Sequence, residues 1–183
     1  MKADPAPVPK ILVLASGSGT NLQALIDATR ERDFPGEIIA VGCNKPGAFA
    51  LERAAQANLT TFVVDHTKYG SREEFDAALL AEILRHNPDL VVLAGFMRIL
   101  TSDFVRAFRG RMLNIHPSLL PAYTGLNTHQ RVLEAGDRTH GVSIHFVTEE
   151  LDGGPVIAQA EVAVAEDDTP ESLAEKVQQQ EHV

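Results

Sequence analysis

The sequence predicts an α/β fold, a doubly wound and mostly parallel sheet with helices on both faces. Short apolar runs such as residues 11–15 and 90–93 are continuous, as in strands that are covered on both sides. Segments with helical periodicity separate these runs, and strands that alternate with helices form crossover connections between parallel strands. Residues 142–147 instead alternate apolar and polar side chains, so the later strands are candidates for antiparallel pairing at one edge.

These signals give the elements in order. In the amino-terminal half we expect strands at residues 11–15, 37–43 and 61–64, and helices at 21–32 and 48–57. The next helix has a marked start, because Ser71 with Glu74 three residues later matches a capping box, and Pro88 ends it. In the carboxyl-terminal half we expect strands at 90–93, 112–115, 142–147 and 156–164, a short helix before residue 112, and helices at 128–135 and 170–180.

Composition indicates one domain. The chain has 183 residues, of which 44 % are apolar, so residues 10–183 can bury one core and are expected to form a single domain. Residues 1–9 are polar and rich in proline, which predicts a disordered lead-in and not a signal peptide. The longest apolar run, residues 90–97, is too short to cross a bilayer.

Net charge and cysteine content limit which partners and which cellular compartment we expect. The net charge of −9 argues against nucleic acid or an anionic membrane as a partner, whereas a small phosphorylated ligand needs only local donors. The single cysteine, Cys43, cannot form an intramolecular disulfide, so we expect a cytoplasmic location. No metal site is expected, because the histidines lack ligand spacing. We expect His129 and His140 at the surface and His145 beside the site.

The most informative segment is residues 111–121. Asn114 and His116 follow the start of a buried strand on alternate positions, so they share one face, and Pro117 then stops strand pairing. Asparagine offers N–H donors and histidine can donate, accept or carry charge, so the pair suits an oxyanion that forms at a carbonyl carbon. A polar strand end that caps the next turn is the alternative interpretation.

Asp152 stands in a second turn, residues 149–155, in which two glycines and a proline specify a sharp loop. An aspartate in such a turn commonly bonds its own loop. A more specific role would be to lie beside His116, orient the imidazole and stabilise its protonated form. The two segments together favour the second role, so Asn114, His116 and Asp152 are the candidate catalytic residues.

A glycine loop, residues 16–21, leads from the first strand into the first helix, whose free N–H groups favour an anion. No Gly-Lys-Ser/Thr follows, so it is not a Walker loop, and Leu22 stands at the third glycine position of a dinucleotide fingerprint. From these residues alone an anion site and a purely structural turn both stay open. All the polar segments follow predicted strands, and ligands bind beyond the carboxyl ends of strands in such sheets, so we expect the segments to converge.

Residues 114–121, Asn-Ile-His-Pro-Ser-Leu-Leu-Pro, and 151–155, Leu-Asp-Gly-Gly-Pro, resemble the folate-dependent formyltransferases. Residues 93–100 and 16–23 are similar to the branch of this family that acts on glycinamide ribonucleotide in purine synthesis. The resemblance covers nearly the whole chain. It implies a Rossmann-like formyltransferase fold and transfer of a formyl group from 10-formyltetrahydrofolate, as co-substrate, to the glycine amine of the ribonucleotide without a metal.

The resemblance also assigns binding residues. It places the ribonucleotide against a set of residues in the glycine loop and near the carboxyl end: Gly19, Thr20, Asn21, Leu22, Gln23, Gln178 and Glu181. It places the folate against a second set: Arg72, Met97, Arg98, Ile99, Leu100 and Asn114. A cis bond between Leu120 and Pro121 and a homodimer are both compatible with it.

The chain departs from the family pattern near the site. Thr124 stands where the family often has proline, and Asn127 stands where many members have histidine. The sequence also stops at Val183, whereas members usually continue with a further strand and helix, so we expect a shorter carboxyl end. These differences concern the pocket and leave the trio of Asn114, His116 and Asp152 intact.

Three other functions use the same features. A formyltetrahydrofolate hydrolase would direct the oxyanion chemistry at water, but it usually carries a regulatory domain. A methionyl-tRNA formyltransferase would share the trio, but it should carry a basic tRNA-binding domain, and this chain is short and acidic. A folate- or nucleotide-sensing module would keep the pocket without the chemistry, and the intact trio argues against it.

Overall fold

The computed structural model describes residues 7–182 and contains a seven-stranded sheet with helices packed on it. The strands are β1 (Lys10–Ala15), β2 (Glu37–Cys43), β3 (Thr60–Val63), β4 (Leu90–Leu93), β5 (Met112–His116), β6 (Thr139–Phe146) and β7 (Val156–Ala163). The helices are α1 (Thr20–Ala28), α2 (Phe49–Gln56), α3 (Arg72–His86), α4 (Ser102–Ala107), α5 (Thr128–Ala135) and α6 (Pro170–Glu181), and a 3₁₀ turn spans His66–Lys68.

The strand order is β3-β2-β1-β4-β5-β6-β7. The neighbouring strands among the first five all pair in parallel, whereas β6 is antiparallel to β5 and β7 is antiparallel to β6. The predicted fold class and the antiparallel edge are therefore confirmed. The strand order reverses between β1 and β4, so the carboxyl ends of these two strands form the switch point at which open α/β sheets bind ligands.

The parallel strands bury side chains on both faces. Leu12 and Leu14 belong to the core under α3 and α4, whereas Val13 and Ala15 belong to the core under α1 and α2. These two sides are called the α3–α4 face and the α1–α2 face below. Because side chains alternate along a strand, the parity of a residue at a strand end decides which face its side chain meets.

The start of α3 agrees with its sequence signal, with one difference. The Ser71 hydroxyl accepts a hydrogen bond from the N–H of Glu74 at 3.1 Å, as predicted. The Glu74 carboxylate accepts from the N–H of Gly70 at 2.9 Å and not from that of Ser71, so the reciprocal half of the box lies one residue earlier. The helix ends where Asn87 adopts a left-handed conformation.

Some element ends differ from the prediction. α1 ends at Ala28 and not at residue 32, because the Thr29 hydroxyl donates to the carbonyl of Ile26 at 2.6 Å and the next N–H groups form tight turns. β6 begins at Thr139, before the predicted residue 142, because it pairs with the full length of β7. The 3₁₀ turn was not predicted; Asp65 caps it by accepting from the N–H of Thr67.

The structure covers only part of the predicted amino-terminal lead-in. The predicted lead-in covers residues 1–6, which lie outside the described residues, and residues 7–9, of which Pro9 accepts a hydrogen bond from the N–H of Glu37 at 2.9 Å. Within residues 7–182, no helix combines the length and the apolar character that a membrane span requires.

Candidate active site

Asn114 and His116 lie on β5 two residues apart, and Met112, two residues earlier, belongs to the core of the α3–α4 face. All three side chains therefore meet that face. Nδ1 of His116 is 3.6 Å from Oδ2 of Asp152, and both side chains are only 7 % exposed. The fold thus brings the two predicted segments together in a nearly buried position.

The second nitrogen of His116 has a defined partner. Nε2 lies 3.0 Å from the carbonyl oxygen of Tyr123. A carbonyl can only accept, so Nε2 carries a hydrogen and donates it, and Nδ1 is the nitrogen that faces the carboxylate. At 3.6 Å the contact with Asp152 is an ion pair when His116 is protonated and is too long for a direct hydrogen bond.

Asp152 accepts one backbone hydrogen bond and has a second histidine nearby. Its Oδ2 accepts a hydrogen bond from the N–H of Gly125 at 2.8 Å, and its Oδ1 is 3.7 Å from Nε2 of His145. The sequence analysis expected all the polar segments to leave the same edge of the sheet. Because β6 runs antiparallel to β5, the loop that carries Asp152 instead leaves the sheet at the opposite edge. The loop of residues 147–155 returns Asp152 to the site, with a left-handed backbone at Asp152 itself.

His145 orients the amide of Asn114, a role that the sequence did not reveal. The two residues are paired across β5 and β6. Nδ1 of His145 is 3.0 Å from the carbonyl of Phe146 and must donate to it, so Nε2 is free to accept from Nδ2 of Asn114 at 3.1 Å. Burial is the main cause that lowers the pKa of His145, which favours this neutral form. The second N–H of the Asn114 amide remains available.

The prediction that His129 and His140 lie at the surface is wrong. His140 is only 1 % exposed because β6 begins before it, and burial, followed by the charges of His129 and His116, lowers its pKa to about 4. His129, on α5, is half-buried, and its Nδ1 is 3.0 Å from Nε2 of His140. Among residues 7–182, no group of three or more His, Cys, Asp or Glu side chains could hold a metal ion.

The glycine loop borders a cleft of about 410 Å³ at the switch point. Gly19 caps α1 in a left-handed conformation. Two residues of α6 reach this loop: Gln178 donates from Nε2 to the Thr20 hydroxyl at 2.6 Å, and Glu181 accepts from Nδ2 of Asn21 at 2.9 Å. Oδ1 of Asn21 is buried and has no hydrogen-bond partner among the described residues. Residues some 160 positions apart thus form one polar wall.

Two predicted ribonucleotide residues point elsewhere. The Leu22 side chain is fully buried in the core of the α1–α2 face, so only its backbone could reach a ligand. Gln23 bonds Asp27 and Arg53 and borders a separate groove of about 510 Å³ along α1. No residue of β4 or β5 lines this groove, whereas Ile115 and Pro117, the neighbours of His116, line the cleft at the switch point. The wider groove is therefore not the candidate site.

The predicted folate segment, residues 97–100, follows β4 after a left-handed turn at Gly95. Met97 is 66 % exposed and Ile99 is 58 % exposed, whereas Leu100 packs against the core of the α3–α4 face. Two large apolar residues that are more than half exposed at this edge suit contact with a planar ligand.

A hydrogen bond to helix α3 fixes the carboxyl end of the same segment. The buried carboxylate of Asp76, which the sequence did not single out, accepts a hydrogen bond from the N–H of Thr101 at 2.6 Å. Burial raises the pKa of Asp76, while the bonds to Thr101 and the charges of Arg72 and Arg98 act in the opposite direction. The Arg98 guanidinium lies 5.6 Å from the centre of the Phe75 ring. Its Nε is buried, and no group within residues 7–182 forms a hydrogen bond with it.

The two departures from the family pattern lie in the loop over His116. The carbonyl of Thr124 accepts from Arg131 at 2.6 Å, and Asn127 caps α5 in a left-handed conformation. The bond between Leu120 and Pro121, which the sequence left open, is cis.

Comparison with known proteins identifies the family. The family described as Formyl transferase matches residues 9–183. The chain belongs to the formyl transferase family. A family member from Escherichia coli (strain K12), named phosphoribosylglycinamide formyltransferase, is 54 % identical over 172 residues, which are 94 % of this chain and 81 % of that protein.

Other relatives show the same relationship. A Gallus gallus protein named trifunctional purine biosynthetic protein adenosine-3 is 49 % identical over 94 % of this chain, which spans only 17 % of that much longer protein. The crystal structure of glycinamide ribonucleotide transformylase 1 from Symbiobacterium toebii superposes with a TM-score of 0.94 and 44 % identity, over 97 % of this chain and 84 % of that one. The formyl transferase fold is therefore shown by structure as well as by sequence.

Proposed function

We propose that this formyl transferase moves the formyl group of 10-formyltetrahydrofolate to the glycine amine of glycinamide ribonucleotide, in purine synthesis. The observation that carries the proposal is the meeting of His116 and Asp152 beside both a glycine-loop cleft and an exposed apolar segment. Relatives named for this reaction, with 46–54 % identity over 94 % of the chain, support it.

The ribonucleotide phosphate would lie at the start of α1. The N–H groups of Gly19 and Thr20 and the helix dipole favour an anion there, and they form one wall of the cleft. Asn21, Gln178 and Glu181 would contact the rest of the ribonucleotide from the same wall. This placement directs the glycine amine toward β5, since Ile115 and Pro117, on either side of His116, border the same cleft.

The folate would lie against the segment of residues 97–100. Met97 and Ile99 offer apolar surface, and backbone groups of this segment would bind the polar edge of the ring. Arg72, in the first turn of α3, and Arg98 supply positive charge near this position, which suits the carboxylates of the folate tail. The two substrates would thus meet at the carboxyl ends of β4 and β5.

The chemistry needs an oxyanion site and a route for one proton. The neutral amine attacks the formyl carbon, so a new C–N bond forms and the carbonyl oxygen becomes an oxyanion. The free N–H of Asn114 and the Nε2–H of His116, which would leave the Tyr123 carbonyl for the oxyanion, stabilise it. The bond to the folate nitrogen then breaks, and a proton passes from the amine to that nitrogen.

Asp152 would act on His116 and not on the substrate. Its carboxylate lies 3.6 Å from Nδ1 and stabilises the imidazolium that shares charge with the oxyanion. No bond to the protein forms along this route, and no step is assigned to a metal. We include the cytoplasm in the proposal, because Cys43 is a buried free thiol, which fits a reducing compartment.

The test is to determine which molecule accepts the formyl group. We expect the protein with labelled 10-formyltetrahydrofolate to form formylglycinamide ribonucleotide, to release one tetrahydrofolate per product, and to keep its rate in excess EDTA. Formate release that is independent of the ribonucleotide would indicate a hydrolase, and transfer to methionyl-tRNA would indicate the other transferase. Folate binding without any turnover would indicate a sensing module, and loss of activity in EDTA that zinc restores would introduce a metal.

A further inference from the structure

Ser16 makes three hydrogen bonds that connect the ends of β1, β2 and β4. Its hydroxyl accepts from the N–H of Met97 at 2.7 Å and donates to Oδ1 of Asn44 at 2.6 Å. Its own N–H donates to the carbonyl of Gly95 at 3.1 Å. Ser16 is 3 % exposed and Asn44 is fully buried, so these bonds are formed away from water. Ser16 therefore holds the turn of residues 95–97 on both sides of Phe96.

Strand parity explains why a residue of the glycine loop reaches the folate segment. Leu12 and Leu14 belong to the α3–α4 face, so the next position of the same parity, Ser16, also meets that face. Ser16 and the glycine-loop residues that follow it border the ribonucleotide cleft. The sequence groups Ser16 with the ribonucleotide loop, but its side chain is engaged with the other substrate segment.

Asn44 fixes the direction of the Ser16 hydroxyl. Oδ1 of Asn44 accepts the only hydrogen of that hydroxyl, which leaves the oxygen lone pairs directed at Met97. The Asn44 carbonyl in turn accepts from Nδ1 of His66 at 2.7 Å, and the His66 ring meets Phe75 edge-on, 6.4 Å away. Phe75 lies under the guanidinium of Arg98, so this series of contacts connects Asn44 with a second residue of the folate segment.

We propose that Ser16, oriented by Asn44, is a positioning residue for the folate segment, so that a residue of the ribonucleotide loop determines binding of the formyl donor. This inference rests on the proposed function for the identity of the two ligands. It assigns Ser16 no contact with either substrate, because both polar functions of its hydroxyl are already used within the protein.

The test is Ser16→Ala, which leaves the N–H of Met97 and Oδ1 of Asn44 without their partner. Loss of a buried hydrogen bond of this kind corresponds to about tenfold in an equilibrium constant. We expect KM for 10-formyltetrahydrofolate and Kd for tetrahydrofolate, measured by calorimetry, to rise by about tenfold while KM for the ribonucleotide stays unchanged. Ser16→Cys, which keeps a weak donor and acceptor, should give an intermediate rise.

Ser172→Ala is the matched control. The Ser172 hydroxyl also accepts a backbone N–H, from Thr169 at 3.0 Å, and donates to a side-chain oxygen of Asp168 at 2.7 Å, but it lies at the start of α6. This variant should lose stability and leave both KM values unchanged. A rise confined to the ribonucleotide KM in Ser16→Ala, an equal rise in both, or no rise would each overturn the inference.

The same experiment separates the inference from the proposed function. If the unmodified protein fails to transfer formyl groups to the ribonucleotide, the proposed function is wrong. The comparison of tetrahydrofolate Kd between Ser16→Ala and the unmodified protein needs no turnover, so it tests the positioning role in either case.

Discussion

Asp152→Asn is expected to lower kcat by about 10²–10⁴-fold, the usual contribution of positioned acid–base assistance, with little change in either KM. The variant removes the negative charge that lies 3.6 Å from Nδ1 of His116. The imidazolium that forms beside the oxyanion then loses its stabilising partner, so the loss should appear in kcat, measured by steady-state kinetics with both substrates.

The structure makes this substitution a clean test. Asn tolerates the left-handed backbone that Asp152 adopts, and its amide oxygen can still accept from the N–H of Gly125. The loop should therefore survive. Asp168→Asn is the control, because Asp168 also accepts a backbone N–H and faces a cation, Lys176, outside the site. Near-normal kcat in Asp152→Asn would mean that Asp152 only shapes its loop.

Gly19→Val is expected to weaken ribonucleotide binding by about 10–10²-fold, the loss of one or two hydrogen bonds from backbone N–H groups to a charged phosphate, and to affect folate binding far less. The variant must also lose stability. Gly19 has φ of 69°, and an added Cβ would lie 2.7 Å from the Cα and Cβ of Ala50 on α2. Glycine is thus required for packing of the loop against α2, and a larger residue must displace the N–H groups that would bind the phosphate.

Two further variants separate these causes. Gly136→Val introduces the same left-handed strain at the end of α5, where a Cβ meets nothing within 4 Å, so it should lower stability without changing the ribonucleotide KM. Gly17→Val places a side chain in open space beside the cleft and should raise that KM with little loss of stability. Equal effects of Gly19→Val on both substrates, with no effect of Gly17→Val, would make the loop purely structural.

Sequence signals predicted elements whose ends depend on local chemistry. The start of α3 was predicted because Ser71 caps it through a neighbouring N–H, and its end because Pro88 cannot continue a helix. The end of α1 was missed, since a threonine hydroxyl bonded to the preceding turn ends it without a glycine or proline. The burial of His140 was missed for a different reason, because it depends on how far β6 pairs with β7.

The residues of the site likewise comprise some that the sequence predicted and some that it missed. Alternation along β5 placed Asn114 and His116 on one face, the turn of residues 149–155 indicated Asp152, and the resemblance assigned the residues of the cleft to the ribonucleotide. The bond between His145 and Asn114, and the contacts of Ser16 with Asn44 and Met97, join residues 28 to 81 positions apart. Only the register of the strands brings such pairs together, and no local pattern signals them.

Direct transfer of the formyl group at the Asn114–His116–Asp152 site is the central claim, and a single-turnover experiment with excess enzyme tests it. Label from 10-formyltetrahydrofolate should leave the folate and enter the ribonucleotide at equal rates, with none on the protein at any time. His116→Ala should slow both processes by about 10²–10⁴-fold. Label that appears on the protein before the product forms, or an undiminished rate in His116→Ala, would contradict the account.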